Sequence, residues 1–382
     1  MTKYLLLNSF TNQIGSKEKN VMKTKLSLYI SAFLFLALIA GLAMPMQAAR
    51  AATICVNPGG TDGCFATIQA AIDAVTTTDG DTINVAAGTY PEAVVINKSL
   101  NLIGAGIGLS VIQAPASLPA ATSLDSAVVS ILGGSVNAEI TGFTIAGPGP
   151  SACGSIKAGV FVRGSADANI HHNRIQDIRD NAAPVSGCQN GIGIVVGRNA
   201  DATVGTATIA NNEIVTYQKG GIVVDGTGSN ANITGNTVTG IGTTAITAQN
   251  GIQISRGATA TLLGNNVTGN SFHLEGSPWD WGAAGILLYQ SGSVTMSGGN
   301  AISGNDQNLY IDSATGVSFG AEAFGPSPAP LDVGYNIINL TTLNLNLTNV
   351  TYPGSLGNYN IEDRIWHAID DPTVGLVACS LQ

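Results

Sequence analysis

The sequence predicts an all-β fold in which short parallel strands stack as the coils of a solenoid. Three observations lead to this prediction. The chain of 382 residues contains 48 Gly and only 10 % charged residues, a composition typical of short strands joined by tight turns. Two short motifs recur along the middle of the chain. The two motifs alternate along the chain at short intervals. This spacing predicts repeat units that are too small to fold alone and that bury a common core by stacking on one another.

The first motif reads apolar-x-x-Asn-x-apolar. It occurs at residues 170–175, 209–214, 233–238 and 262–267, with Phe143 in the asparagine place at 140–145 and one residue inserted at 296–302. A repeated asparagine at one turn predicts a ladder of hydrogen-bonded amides along the coil, as in stacked in-register sheets. We expect a structural role for these asparagines, which are Asn173, Asn212, Asn236, Asn265 and Asn300.

The second motif reads small-Gly-apolar-x-apolar and occurs at residues 158–162, 220–224, 250–254 and 284–288. Its alternating apolar residues predict strands with one buried face. The spacing from this motif to the next asparagine motif is nearly constant, so the variable lengths fall before each glycine. Three long loops lie there, at 147–157, 179–190 and 271–282, and the repeat predicts that they project from one edge and line a groove.

The repeats, together with FATIQAAIDA at 65–74 and GDTINVAAGTYPE at 80–92, resemble the pectate-lyase-like superfamily over roughly residues 53 to 320. The resemblance implies a right-handed parallel β-helix with an N-terminal capping helix. Helical spacing places Ile68, Ala71, Ile72 and Val75 on one apolar face of that helix. The first strands are predicted at 82–85, 93–96 and 100–103.

Three segments are predicted: a signal peptide at 1–51, the β-helix at 52–325, and a strand-rich cap and tail at 326–382. The apolar run Leu26–Ala43 follows Lys23 and Lys25 and precedes small residues, which is typical of an export signal. Cleavage after residue 48 or 51 and a true start at residue 22 are expected, and a membrane anchor is the alternative. The protein is therefore predicted to be secreted or displayed on the cell surface.

The C-terminal tail is predicted to close the coil. Residues 337–350 alternate apolar and polar side chains, which predicts a strand. The tail also contains a cluster of aromatic and polar residues, namely Trp366, His367, Asp370 and Asp371. We expect these four side chains to pack and cap rather than to form a site.

The net charge of the chain restricts the classes of partner that are expected. The chain has 15 Lys and Arg against 24 Asp and Glu, a formal net charge of −9, which argues against nucleic acid and anionic bilayers as partners. An anionic polysaccharide is also disfavoured unless Ca²⁺ bridges it to the protein. No cofactor is expected other than a bridging Ca²⁺, no metal site is predicted, and a monomer is expected.

Five cysteines follow the predicted signal segment, and none of their spacings is typical of a zinc site. Cys153 and Cys188 lie in the long loops of successive coils, about 4.8 Å apart in a parallel stack, so they are predicted to form a disulfide. Cys55 and Cys64 are predicted to pair before the capping helix. This leaves Cys379 as the odd thiol.

The leading functional prediction is a protein that binds a polysaccharide or cell-surface glycan along the loop-lined groove. Trp279 and Trp281 are two of the three tryptophans of the chain and lie in the loop at 271–282. Indole faces stack on sugar rings, and polar groups beside them exchange hydrogen bonds with sugar hydroxyls. His273 and Asp280 are the polar candidates in the same loop.

Two alternatives stay open. The first is a polysaccharide lyase or glycoside hydrolase of the same fold, with His171, Asp177, Asp180, Glu275 and Asp280 as candidate acid–base groups. The motif sets that the resemblance implies for the superfamily's enzymes are missing from this sequence, so a non-enzyme is favoured. The second alternative is a structural or adhesive repeat module.

Overall fold

The computed structural model describes residues 51–119, 126–151, 153–181, 186–330, 333–351 and 365–367. These residues form 29 strands, numbered β1 to β29 in chain order, one α-helix and a single 3₁₀ turn at Asn199–Asp201. The strands belong to three parallel sheets of ten, ten and nine strands. Each complete coil gives one strand to each sheet in turn, which confirms the predicted parallel β-helix.

The three sheets are named A, B and C. Sheet A contains β1 Thr53–Val56, β2 Thr82–Val85, β5 Asn101–Gly104, β8 Asn137–Thr141, β11 Ala166–His171, β14 Gly205–Ala210, β17 Asn230–Thr234, β20 Thr259–Leu263, β23 Ser291–Met296 and β26 Ala314–Phe319. Sheet B contains β3 Gly88–Pro91, β6 Ser110–Gln113, β9 Phe143–Ala146, β12 Arg174–Gln176, β15 Glu213–Val215, β18 Thr237–Thr244, β21 Asn266–Phe272, β24 Ala301–Ile302 and β27 Ala323–Phe324. Sheet C contains β4 Val94–Ile96, β7 Ala127–Leu132, β10 Ala158–Arg163, β13 Ile192–Val196, β16 Gly220–Asp225, β19 Asn250–Ser255, β22 Ala284–Tyr289, β25 Gln307–Ile311, β28 Tyr335–Asn339 and β29 Ile365–His367.

The core is a set of stacked aliphatic columns. In sheet A, Ile140, Ile170, Ile209, Ile233 and Leu262 are paired in register on five successive strands, and none of their side chains is exposed. Alternate residues of the same strands face solvent. Because the strands repeat in register, a slip of one residue would turn the whole column outward.

The N-terminal helix, α1, spans Ile68–Asp73 and covers the end of the coil. Thr67 caps its N-terminus by accepting a hydrogen bond from a backbone N–H, as N-cap threonines do. Ile68, Ala71 and Ile72 are buried, as predicted. At the other end, the Lys98 ammonium donates to three carbonyl oxygens, where the helix dipole favours a positive charge.

Val75 departs from the predicted apolar face, because its side chain is 96 % exposed. The helix ends at Asp73, two residues before Val75. The helical spacing that aligned Val75 with Ile72 therefore no longer applies at that position, and the prediction for this residue is wrong.

The asparagine ladder forms as predicted at the turn from sheet A to sheet B. The Oδ1 of each asparagine accepts from the backbone N–H and the Nδ2 of the asparagine one coil earlier, at 2.9–3.2 Å. The ladder begins at Phe143, whose N–H donates to Asn173. It ends at Glu322, whose carboxylate accepts from the backbone and side chain of Asn300.

Sheet C continues beyond the predicted β-helix boundary at residue 325, because β28 pairs with β25 and β29 pairs with β28. Only the beginning of the alternating stretch 337–350 is a strand, since β28 ends at Asn339. Trp366 and His367 lie on β29. Asp370, Asp371 and Cys379 lie outside the described residues.

The two predicted disulfides are both present, Cys55–Cys64 and Cys153–Cys188, with Cα separations of 4.8 and 6.0 Å. The predicted signal peptide lies almost wholly outside the described residues, which begin at residue 51. Within the described residues, no helix has the length and apolar character needed to cross a bilayer.

We expect Asn236→Ala to lower the free energy of unfolding by about 1–3 kcal/mol, the usual penalty for leaving buried polar groups without partners. Asn236 is buried and exchanges hydrogen bonds with Asn212 and Asn265. Denaturant unfolding measures the change. Asn232→Ala, an exposed position of sheet A, is the matched control. Equal stability of the two variants would contradict a structural role for the ladder.

Candidate functional site

The candidate site lies where the chain passes from sheet B to sheet C. We call this the loop edge, and it comprises the described residues within 147–157, 177–191, 245–249 and 273–283. The three loops that the sequence singled out, 147–157, 179–190 and 271–282, all make this passage, between β9 and β10, β12 and β13, and β21 and β22. The described parts of these loops therefore share one edge of the coil, as the repeat predicted.

The first two loops are joined to each other. Cys153 and Cys188 link them covalently. Asp180, which is fully buried, accepts hydrogen bonds from the backbone and hydroxyl groups of Ser155 at 2.7 and 2.9 Å. It also accepts from Ser186 in its own loop and from Gln218 of the next coil. Asp180 therefore fixes both loops to the coil beneath them.

The same contacts decide what Asp180 can do chemically. Burial alone would raise the pKa of Asp180, but hydrogen bonds from Ser186, Gln218 and Ser155 outweigh it and lower the pKa to about 2. Such hydrogen bonds stabilise the ionised carboxylate. The group stays charged and sequestered, which suits a structural anchor and not a general base.

The third loop carries the tryptophans, and residues 273–282 are called the tryptophan loop. The His273 ring stacks on the Trp281 indole, with ring centroids 4.3 Å apart and an interplanar angle of 16°. His273 Nδ1 lies 2.9 Å from the Asp280 carboxylate, which also accepts from the backbone N–H of Leu274. Trp281 has a positive φ of 57°, and its carbonyl accepts from the Gln307 amide. These contacts fix the loop.

The two predicted stacking residues differ in exposure. Trp279 is 70 % exposed, whereas Trp281 is partly buried beneath His273. Leu274 in the same loop and Ile246 in the connection one coil earlier are also exposed. Ile246 lies against Gly187, where an added Cβ would sit 3.4 Å from the Ile246 carbonyl oxygen. The loop edge thus presents apolar side chains from neighbouring coils.

The predicted catalytic candidates do not meet at one point. His171 lies on sheet A, where Nε2 is 2.9 Å from the Glu139 carboxylate. Asp177 pairs with Arg179 at 3.8 Å, and Glu275 is exposed on the tryptophan loop. Asp280 is engaged by His273. The structure brings only His273, Asp280 and Trp281 together.

Within the described residues, no cluster of candidate metal ligands lies beside the tryptophans. The one group of three candidate ligands in the described part of the chain is Cys153, Asp180 and Cys188. Its two sulfur atoms form a disulfide, so they are not thiolates that would bind an ion.

Sequence reasoning missed Asp306, which lies beneath the tryptophan loop. The side chain is fully buried, and Oδ2 accepts from the backbone N–H groups of Phe272 at 2.7 Å and Ala283 at 3.1 Å. Burial raises the pKa of Asp306 to about 6. In the sequence it is one acidic residue in a polar turn, and nothing local marks it as buried.

We expect the pKa of Asp180 to appear in the pH dependence of stability. A carboxyl whose pKa is lower in the folded than in the unfolded state adds stability above pH 4, and this is lost as the pH falls towards 2. Relative to Asp180→Asn, the wild type should lose about 2 kcal/mol over that range, measured by urea unfolding. Asp167→Asn, an exposed residue of sheet A, is the control. A constant difference between wild type and Asp180→Asn would contradict this assignment.

Comparison with known proteins bears on the fold. Residues 125–305 match a family model described as a right handed beta helix region. Among solved structures, pectate lyase Pel9A matches with a TM-score of 0.54 at 12 % identity, covering 82 % of each chain. The mannuronan C-5 epimerase AlgE6 A-module of Azotobacter vinelandii matches with a TM-score of 0.48 at 18 % identity, covering 75 % of this chain and 81 % of that one.

The alginate lyase from Paenibacillus sp. str. FPU-7 matches with a TM-score of 0.49 at 12 % identity, covering 79 % of this chain and 96 % of that one. No curated protein sequence matches the chain. At 12 % identity the likeness to pectate lyase Pel9A concerns the fold and not the activity. The chain has a right-handed parallel β-helix fold, which it shares with pectate lyase Pel9A, and its residues 125–305 carry the repeats of a right handed beta helix region.

Proposed function

We propose that this protein binds carbohydrate along the loop edge, with Trp279 as the principal stacking surface. One observation carries the proposal: the Trp279 indole is 70 % exposed on a loop that is fixed on both sides. Contiguous exposed apolar groups on a soluble protein mark interaction sites. Leu274 in the same loop and Ile246 in the connection one coil earlier are further exposed apolar side chains of the loop edge.

The chemistry around Trp279 fits a sugar. A sugar ring offers an apolar face for stacking and hydroxyls at its rim. His273 and Asp280 lie in the same loop and supply polar groups for those hydroxyls. The stack of His273 on Trp281 and the bond from Gln307 order the loop in advance, so binding needs little further ordering.

The charge of the chain bears on which glycan binds. The net charge of −9 favours a neutral or weakly charged glycan, and an acidic one would need a bridging Ca²⁺. The fold is shared with a protein named as a pectate lyase, so polysaccharide is a natural class to test. Export through the segment 1–51 and a monomeric state belong to the same proposal, and the two disulfides suit an oxidising compartment.

A polysaccharide lyase is the second candidate, and Lys219 is the residue that favours it. Lys219 lies on the loop edge side of β16, and burial lowers its pKa. A lysine with a lowered pKa holds more of its neutral form, which proton abstraction requires. Its Nζ donates to the Ala248 carbonyl at 2.6 Å. Formation of unsaturated sugar ends by the wild type, and its loss in Lys219→Met, would support a lyase.

A glycan array, probed with and without Ca²⁺, tests the binding proposal. Trp279→Ala should weaken binding to any glycan that the wild type retains by about 1–3 kcal/mol, the contribution of an aromatic anchor. Its stability should change little because the indole is exposed. Leu109→Ala, which removes an exposed apolar side chain from an early coil, is the matched control and should bind like the wild type.

Trp281→Ala should behave differently from Trp279→Ala. Trp281 is partly buried and stacks with His273, so its loss should lower the thermal midpoint as well as the affinity. Equal affinity of Trp279→Ala and wild type for a retained glycan would move the site away from this loop. If the wild type retains no glycan on the array, the structural or adhesive alternative is favoured instead.

A further inference from the structure

Asp306 stands between the two ends of the tryptophan loop. It lies in the turn from β24 to β25, and its Oδ2 accepts from the backbone N–H groups of both Phe272 and Ala283. Phe272 is the last residue before the loop, and Ala283 is the first after it. One buried oxygen atom therefore holds the entry and the exit of the loop together.

The other oxygen of Asp306 has no such partners. Oδ1 is buried and accepts no hydrogen bond. The Ser271 hydroxyl is a nearby donor that favours the charged form of Asp306, and it also pairs with the Thr243 hydroxyl at 2.9 Å, where either oxygen can be the donor. A buried carboxylate with a bare oxygen is costly. With a proton on Oδ1, the group is neutral and Oδ2 still accepts from both ends of the loop.

Few charged groups face Asp306 from the described residues packed around it. Asp280 on the tryptophan loop is the neighbouring charge, and its repulsion adds to the effect of burial in raising the pKa of Asp306. His273 acts through Asp280, with which it pairs. The side chains of Asn270, Ser271 and Asn305 are neutral.

We propose that Asp306 is the positioning residue of the tryptophan loop and makes its docking sensitive to pH: the neutral carboxyl holds both loop ends, and ionisation favours an opened loop. In an opened loop, water reaches Oδ1 and the carboxyl ionises at its ordinary pKa. The closed loop binds the proton more tightly. By linkage, closure is strongest in acid and weakens as the pH rises towards the pKa of about 6.

For glycan binding, this inference rests on the proposed function. If the loop edge binds carbohydrate, affinity should be higher near pH 5 than near pH 7.5, because the closed loop presents Trp279 in a fixed position. The docking of the loop itself is measured without any glycan. Failure of the carbohydrate proposal is therefore distinguishable from failure of the Asp306 proposal.

Amide hydrogen exchange with mass spectrometry tests the docking. Protection factors of peptides covering 271–283, corrected for intrinsic rates, should rise on the order of tenfold when the pH falls from about 7.5 to about 4.5. In Asp306→Asn they should be high and independent of pH, because the amide mimics the neutral carboxyl. Peptides from β16 serve as the internal reference.

Two further variants make the test decisive. His273→Gln removes the imidazole that pairs with Asp280, and the pH response should persist. Asp280→Asn removes the neighbouring charge, so the midpoint of the pH response should move to lower pH. This variant also tests the proposal if Asp306→Asn does not fold. The proposal would be overturned if the wild-type protection factors did not change with pH, or if they still changed in Asp306→Asn. It would also be overturned if the change were lost in His273→Gln, or if its midpoint did not move in Asp280→Asn.

Discussion

The amide ladder is the interaction on which the rest of the structure depends. Five asparagines, each bonded to the next, hold successive coils in one register at the turn from sheet A to sheet B. A turn fixed in this way tolerates no insertion, apart from the single residue accommodated before Asn300. Longer insertions fall instead in the passage from sheet B to sheet C, and in the connection from β13 to β14, which contains the 3₁₀ turn at Asn199–Asp201. The loop edge is where the fold leaves room for function.

Buried carboxylates then attach the loops to the coil, and the number of hydrogen-bond donors sets their behaviour. Asp180 accepts from five donors supplied by Ser155, Ser186, Asn190 and Gln218, and its pKa is about 2. Asp306 is equally buried but has one bare oxygen, and its pKa is about 6. The first anchors its loops at any physiological pH. The second links the tryptophan loop to pH.

Periodic features of the sequence predicted periodic features of the structure. The asparagine positions, the coil order and the Cys153–Cys188 pair all follow from the repeat, because residues at equal phase must stack. Val75 was misplaced because periodicity does not say where a six-residue helix ends. Glu322 and Asp306 were missed because each is defined by partners one coil away, at spacings that the motifs do not reveal.

The site was predictable only in part for a similar reason. No sequence pattern distinguishes Trp281, which stacks with His273, from Trp279, which stays exposed, because both stand in one loop two residues apart. That difference depends on the positive φ of Trp281 and on the contact with Gln307. Likewise, the acid–base candidates do not converge, because His171 pairs with Glu139 on sheet A, Asp180 is hydrogen-bonded to Ser155, and Asp280 is engaged by His273. Long-range packing decides both outcomes.

The central claim is that a glycan docks on the tryptophan loop of a rigid coil. A crystal structure of the protein with an oligosaccharide that it retains on an array tests this most directly. The account predicts a sugar ring stacked on the Trp279 indole, with its hydroxyls at His273 or Asp280 and the coil unchanged. A sugar bound to sheet A or elsewhere, with the Trp279 indole still open to solvent, would contradict it.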